Sequence, residues 1–131
     1  MAIAYTNLND AIARTIERTG GYAAESDAPL ISELLQLSAA ADANGTIHYR
    51  VFLVAALFLE QSPAVQTLVQ AEDGVKFSQL VTTIASLRSL QAGVDAANGL
   101  TIPAGFEAAT NDKKVRLHKS FSSISLPLKV V

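Results

Sequence analysis

Val51-Phe52-Leu53-Val54-Ala55-Ala56-Leu57-Phe58-Leu59 is the stretch that decides the fold: nine apolar residues in a row, with no polar side. A membrane span needs roughly 20 such residues, so this run is too short to cross a bilayer. A helix that is apolar on every side is surrounded by other helices. The run therefore reads as the central helix of a bundle, expected over residues 47–61 with Thr46 as its cap.

The flanking sequence supplies the surrounding helices. Upstream, Thr6 or Asn7 can cap a first helix, in which Leu8, Ala11, Ile12 and Ile16 recur at helical spacing until Gly20-Gly21 ends it. Asp27-Ala28-Pro29 opens a second, since proline suits the first turn. There Leu30, Ile31, Leu34, Leu35 and Ser38 keep the period, with Glu33 and Gln36 outward. Asp42-Ala43-Asn44-Gly45 is a stop signal. Downstream, Ser62-Pro63 restarts a short helix over residues 64–70, Glu72-Asp73-Gly74 turns, and Val75-Lys76-Phe77 reads as a brief extended piece. Ser78 is the expected cap of the longest helix, residues 79–97. Leu80, Ile84, Leu87 and Val94 mark its stripe, which Val81, Ala85 and Leu90 widen, and Asn98-Gly99 ends it. The loop Leu100-Thr101-Ile102-Pro103-Ala104-Gly105-Phe106 is expected to return Ile102 and Phe106 to the core.

After Thr110 the pattern changes. Ile124, Leu126, Leu128 and Val130 alternate with Ser123, Ser125, Pro127 and Lys129, the period of two that marks a strand with one buried face. Pro127 lacks an N–H and restricts such a strand to an edge. The charge changes with the period. Residues 1–110 hold five Lys/Arg against eleven acids, whereas residues 111–131 hold five against one. The expected fold class is thus all-α: a small bundle of four to five helices over residues 1–110, followed by an extended, strand-like C-terminal arm, residues 111–131.

At 131 residues the chain is large enough for one domain with its own core. It has no cysteine, which excludes disulfides and thiolate metal sites and fits a reducing compartment. Met1-Ala2-Ile3-Ala4-Tyr5 has neither the basic nor the apolar region of a signal peptide, so a soluble protein is expected.

Catalytic chemistry finds little support in the residues. His48, between Ile47 and Tyr49, reads as a structural histidine rather than a general base, and His118 falls in the basic arm. No HExxH, GxSxG, SxxK, phosphate loop or dinucleotide fingerprint is present, and Glu72-Asp73 lacks the carboxylate spacing of a calcium loop. No enzyme, cofactor or metal is expected. Arg50, alone on an apolar helix, must reach water or pair with an acid such as Glu60 or Asp42. The arm carries the candidate partner-binding residues: the cations Lys113, Lys114, Arg116 and Lys119, and the apolar Phe121, Ile124, Leu126, Leu128 and Val130. Its cations can meet phosphates, yet an acidic body repels DNA and Phe121 is the arm's one aromatic. An acidic neighbour suits it better. An alternating segment gains main-chain bonds and side-chain pockets by joining an exposed edge, and one-directional lending of arms closes into a ring. A hairpin within the chain, with residues 75–77 as partner, is the alternative.

Three features together give a resemblance. They are the helix pair ending in Tyr49-Arg50-Val51-Phe52-Leu53-Val54-Ala55-Ala56, Gly74-Val75-Lys76-Phe77 leading into a long helix, and the 100–106 loop followed by an arm. In these the chain resembles the head–tail connector (adaptor) proteins of tailed bacteriophages. The resemblance covers most of the chain as a pattern without a sharp motif. It implies an all-helical body, a virion protein of the neck assembled in the host cytoplasm, and a ring matching the portal's twelve-fold symmetry. It also implies contacts with portal on one side and a stopper, terminator or tail protein on the other, around a channel that DNA traverses without sequence-specific binding. No membrane is involved. The alternatives are another phage structural protein (a tail-completion or decoration subunit) and a small helical regulator binding a partner protein or nucleic acid.

Overall fold

The computed structural model describes residues 3–61 and 74–108, the last with backbone alone over 74–77. Its order is α1 (Leu8–Arg18), a 3-10 turn (Glu25–Asp27), α2 (Ala28–Ser38), β1 (Ala40–Ala41), β2 (Ile47–His48), α3 (Val51–Gln61) and α4 (Gly74–Asn98). The described residues are thus mostly helical, with four α-helices and a small two-stranded ribbon that the all-α expectation lacked. The arm, residues 111–131, and the short helix expected over 64–70 lie outside the described residues.

The local sequence sets most boundaries. Asn7 caps α1 by accepting the Asp10 N–H at 2.9 Å, as side-chain oxygens do for the free N–H groups of a first turn. Pro29 occupies the first turn of α2. Gly20 and Gly99 follow α1 and α4 with φ of 66° and 62°, the left-handed conformation that glycine tolerates at helix ends.

Two boundaries differ from expectation. Ile47 and His48 form a strand and do not begin the central helix. Asp42 Oδ1 accepts the N–H groups of Asn44 and Thr46 at 2.8 and 3.0 Å, and the tight turn pairs Ala40 with His48 and Ala41 with Ile47, antiparallel. Thr46 belongs to this turn and caps nothing. On its other side β1 meets Thr101, whose N–H donates to the Ala41 carbonyl at 2.9 Å. The second difference is at residues 75–77, which are helical from Gly74 onward, so they offer no strand for a hairpin with the arm and Ser78 is not a cap. Extending a helix adds one hydrogen bond per residue without a new nucleus, while the residue preferences that favoured an extended reading amount to only a few tenths of a kcal/mol.

α3 is the centre, as its composition requires: eight of its eleven residues are buried. One face, Val51, Val54 and Phe58, packs with Ala11, Ile31 and Leu35 from α1 and α2. The opposite face, Phe52, Ala55, Ala56 and Leu59, packs on Leu80, Ile84 and Leu87 of α4. A single helix therefore serves both halves of the core. The faces of α2 and α4 are narrower than the sequence suggested. On α2, Ile31, Leu35 and Ser38 are buried while Leu30 and Leu37 stand 48 and 56 % exposed, and Leu90 of α4 is 48 % exposed.

Candidate functional site

The α3–α4 seam carries charges where the sequence pattern promised only apolar contacts. Arg88, Gln91 and Asp95 follow Leu80, Ile84 and Leu87 on the inner side of α4, and all three are buried. Arg50, immediately before α3, is fully buried as well. Its partner is Asp95, not Glu60 or Asp42, and it does not reach water. The pair is bidentate, with Nε on Oδ1 at 3.1 Å and Nη2 on Oδ2 at 2.6 Å, the arrangement that makes arginine–carboxylate pairs directional as well as strong.

Gln91 joins this pair to the helix start. Its Nε2 donates to Asp95 Oδ1 at 2.8 Å, and its Oε1 accepts the Leu53 N–H at 3.1 Å. That N–H lies in the first turn of α3 and has no acceptor within its own helix. α3 is thus capped from α4, across the core. Glu60, expected near Arg50, instead binds Arg88 through both oxygens, at 2.7 and 2.8 Å.

Both arginines have a donor left over, and both spend it on the same segment. Arg50 Nη1 donates to the Phe106 carbonyl, and Arg88 Nη1 to the Ala108 carbonyl at 3.3 Å. Ala108 is the last described residue before the arm, and it is buried. The segment leading to the arm is therefore fixed by two ion-paired arginines. Beside it a cavity of about 350 Å³ is lined by Leu34, Leu53, Leu57, Arg88, Phe106 and Glu107 among others.

The sequence-predicted partner-binding residues Lys113, Lys114, Arg116, Lys119, Phe121, Ile124, Leu126, Leu128 and Val130 lie outside the described residues, as does His118. What sequence reasoning missed is the anchoring set, Arg50, Arg88, Gln91 and Asp95 with Glu60. A signal was present: polar residues that continue the spacing of an apolar stripe must be paired, because an unpaired buried charge is too costly.

His48, buried on β2, is bonded to the turn that precedes it. Its Nε2 lies 2.9 Å from Asp42 Oδ2; a carboxylate only accepts, so Nε2–H donates, while the buried Nδ1 has no hydrogen-bond partner. The His48 hydrogen bond, aided by the Thr46 and Asn44 N–H groups and opposed by desolvation, holds the Asp42 carboxyl below its ordinary value. A depressed carboxylate stabilises the fold above its unfolded pKa, and that contribution is lost as pH falls through the folded one. Asp42→Asn should therefore melt below the wild type at pH 7. In thermal melts the gap should begin to narrow as pH falls below the ordinary carboxylate value of about 3.9 and close only once pH has passed the depressed folded value.

The chain matches no family model, no curated protein and no solved structure. What the described residues hold thus stands by its own geometry. Among them no three His, Asp or Glu side chains come together to hold a metal ion, and no helix is long and apolar enough to cross a membrane.

Proposed function

We propose that this chain is a non-enzymatic structural subunit that assembles through its C-terminal arm, and specifically a subunit of a bacteriophage head–tail connector ring. In this reading the arm contacts the next copy or the portal, and a stopper, terminator or tail protein binds the opposite side. DNA passes through the ring without being read. The particle's neck is where the protein resides.

One observation carries the reading. A local excess of positive charge and the alternating apolar run sit together in residues 111–131, just after a segment that Arg50 and Arg88 fix to the body. A rigid base lowers the entropy lost when an appended segment docks. The body offers such a segment an acidic partner. Its four described arginines are engaged within the body: Arg14 with Asp10 and Glu17, Arg18 over the Phe52 ring at 5.0 Å, Arg50 with Asp95 and Arg88 with Glu60. Acidic walls also suit a channel through which DNA must slide.

Deleting residues 111–131 should abolish assembly while leaving the far-ultraviolet helical signal nearly intact, because the clusters that join α1, α2, α3 and α4 are built from residues of the body itself. Light scattering and native mass spectrometry of the full chain, alone and with portal, read the outcome. A full-length chain that stays monomeric in both settings would sink the proposal. Salt-sensitive binding to duplex DNA would favour a nucleic-acid-binding regulator in its place.

A further inference from the structure

The arm needs a receptor, and the described surface holds an apolar groove suited to one. Leu30, Leu34 and Leu37 fall on one side of α2 at helical spacing, with Leu30 and Leu37 about half exposed. Leu34 continues that stripe into the cavity that Leu53, Leu57 and Phe106 line on its apolar part and Gln61, Arg88 and Glu107 on its polar part. Exposed leucines aligned in this way are not needed by the fold, whose α2 contact is made by Ile31 and Leu35. Glu33, exposed among them, sets a carboxylate at the rim.

We infer that this α2–α3 groove is the docking site for residues 124–130 of a second copy of the chain. The inference rests on the assembly reading above and names its receptor. The apolar spacing agrees over one step: alternate residues of an extended segment repeat every ~6.6 Å, and Leu30 and Leu34, four apart on a helix, lie ~6 Å apart along its axis. Charge agrees as well, since the cations Lys113, Lys114, Arg116 and Lys119 precede the apolar run and the body they approach is acidic. The depression on α4 lined by Ile3, Leu90 and Val94 has no carboxylate among its described lining residues. The strands β1 and β2 are two residues long each, too short an edge for the arm's alternation.

Chain length lets the arm reach a neighbour. The last described residue, Ala108, follows Phe106 and Glu107 of this same groove, and Ile124 comes sixteen residues after it. Such a stretch reaches up to about 55 Å, whereas a compact domain of this size is about 35 Å across. Returning Ile124 to its own groove requires the chain to reverse between residues 109 and 123, whereas the same stretch run outward carries Ile124 past the edge of its own domain and onto the next. A groove filled by the next copy's arm is a heterologous contact, the kind that closes into rings.

The absence of cysteine makes the test clean. The full-length double variant Leu37→Cys/Leu128→Cys, oxidised under assembling conditions, should give a ladder of covalent multimers on a denaturing, non-reducing gel. A fast-running monomer band would mean that the arm occupies its own groove and would overturn the inference. So would assembly without any cross-link. In parallel, Leu30→Ser/Leu37→Ser should raise the concentration for half-assembly by more than about tenfold with an unchanged helical signal. Wild-type assembly by that variant, together with its loss on deletion of residues 111–131, would refute the groove and leave the assembly reading standing. A wild type that never assembles would refute both.

Discussion

Asp95→Asn is expected to lower the unfolding free energy by about 3–5 kcal/mol, the range for removing one partner of a buried ion pair. Arg50 is fully buried and the Asp95 side chain is 10 % exposed, so solvent cannot take over from the lost carboxylate. The amide still presents one oxygen to Nε, but its NH2 faces the Nη2 donor where Oδ2 accepted at 2.6 Å, and the guanidinium stays charged without a counter-charge. A loss of this size is a large part of the 5–15 kcal/mol typical of a domain. Urea unfolding followed by helical circular dichroism measures it. The double variant Arg50→Met/Asp95→Leu should recover part of the loss, because replacing a whole buried pair by apolar groups removes the orphaned charge. Recovery stays incomplete: the Ser38 and Phe106 carbonyls lose their Arg50 donor, and Gln91 loses the acceptor of its NH2 group. A cost below about 1 kcal/mol for Asp95→Asn would show that the pair does not carry the seam.

Phe52→Ala should cost a similar 3–5 kcal/mol, lowering the melting temperature by about 10–20 °C. Phe52 is 1 % exposed and lies in the α3–α4 cluster. Its ring meets Tyr5 edge-on at 6.1 Å and carries the Arg18 guanidinium over its face at 5.0 Å. Deleting it opens a cavity and removes both contacts, which tie the segment before α1 and the end of α1 to the central helix. Phe52→Leu, which keeps most of the volume, should recover more than half the loss in the same melts. Equal damage from Ala and Leu would assign the ring's role to the aromatic contacts and not to volume.

Much of the fold was legible because its cause is local. Asn7, Pro29, Gly20 and Gly99 act on backbone groups within a few residues, and nine apolar residues can be satisfied only at the centre of a bundle. The ribbon at Ile47–His48 escaped because a single carboxylate, Asp42, turns the chain before α3 can start. Leu30 escaped because α2 turns Ile31 and Leu35 to the core and leaves Leu30 about half exposed, a rotation that sequence spacing leaves open. Of the site, the arm's cations and apolar alternation were read directly, whereas its anchors were read as a helix start near water and a neutral stripe.

By itself the sequence determined a helical body around residues 51–59, both ends of α1, the start of α2, the end of α4, and the opposite charges of body and arm. These depend on composition, period and bonds spanning a few residues. Tertiary structure decided that Arg50 chooses Asp95, 45 residues away, and Arg88 chooses Glu60, 28 residues away. It also decided that the spare donors of both close on Phe106 and Ala108. Every carboxylate in the chain is chemically eligible for either arginine, so the choice is made only when α3 and α4 pack and bring particular side chains within bonding distance.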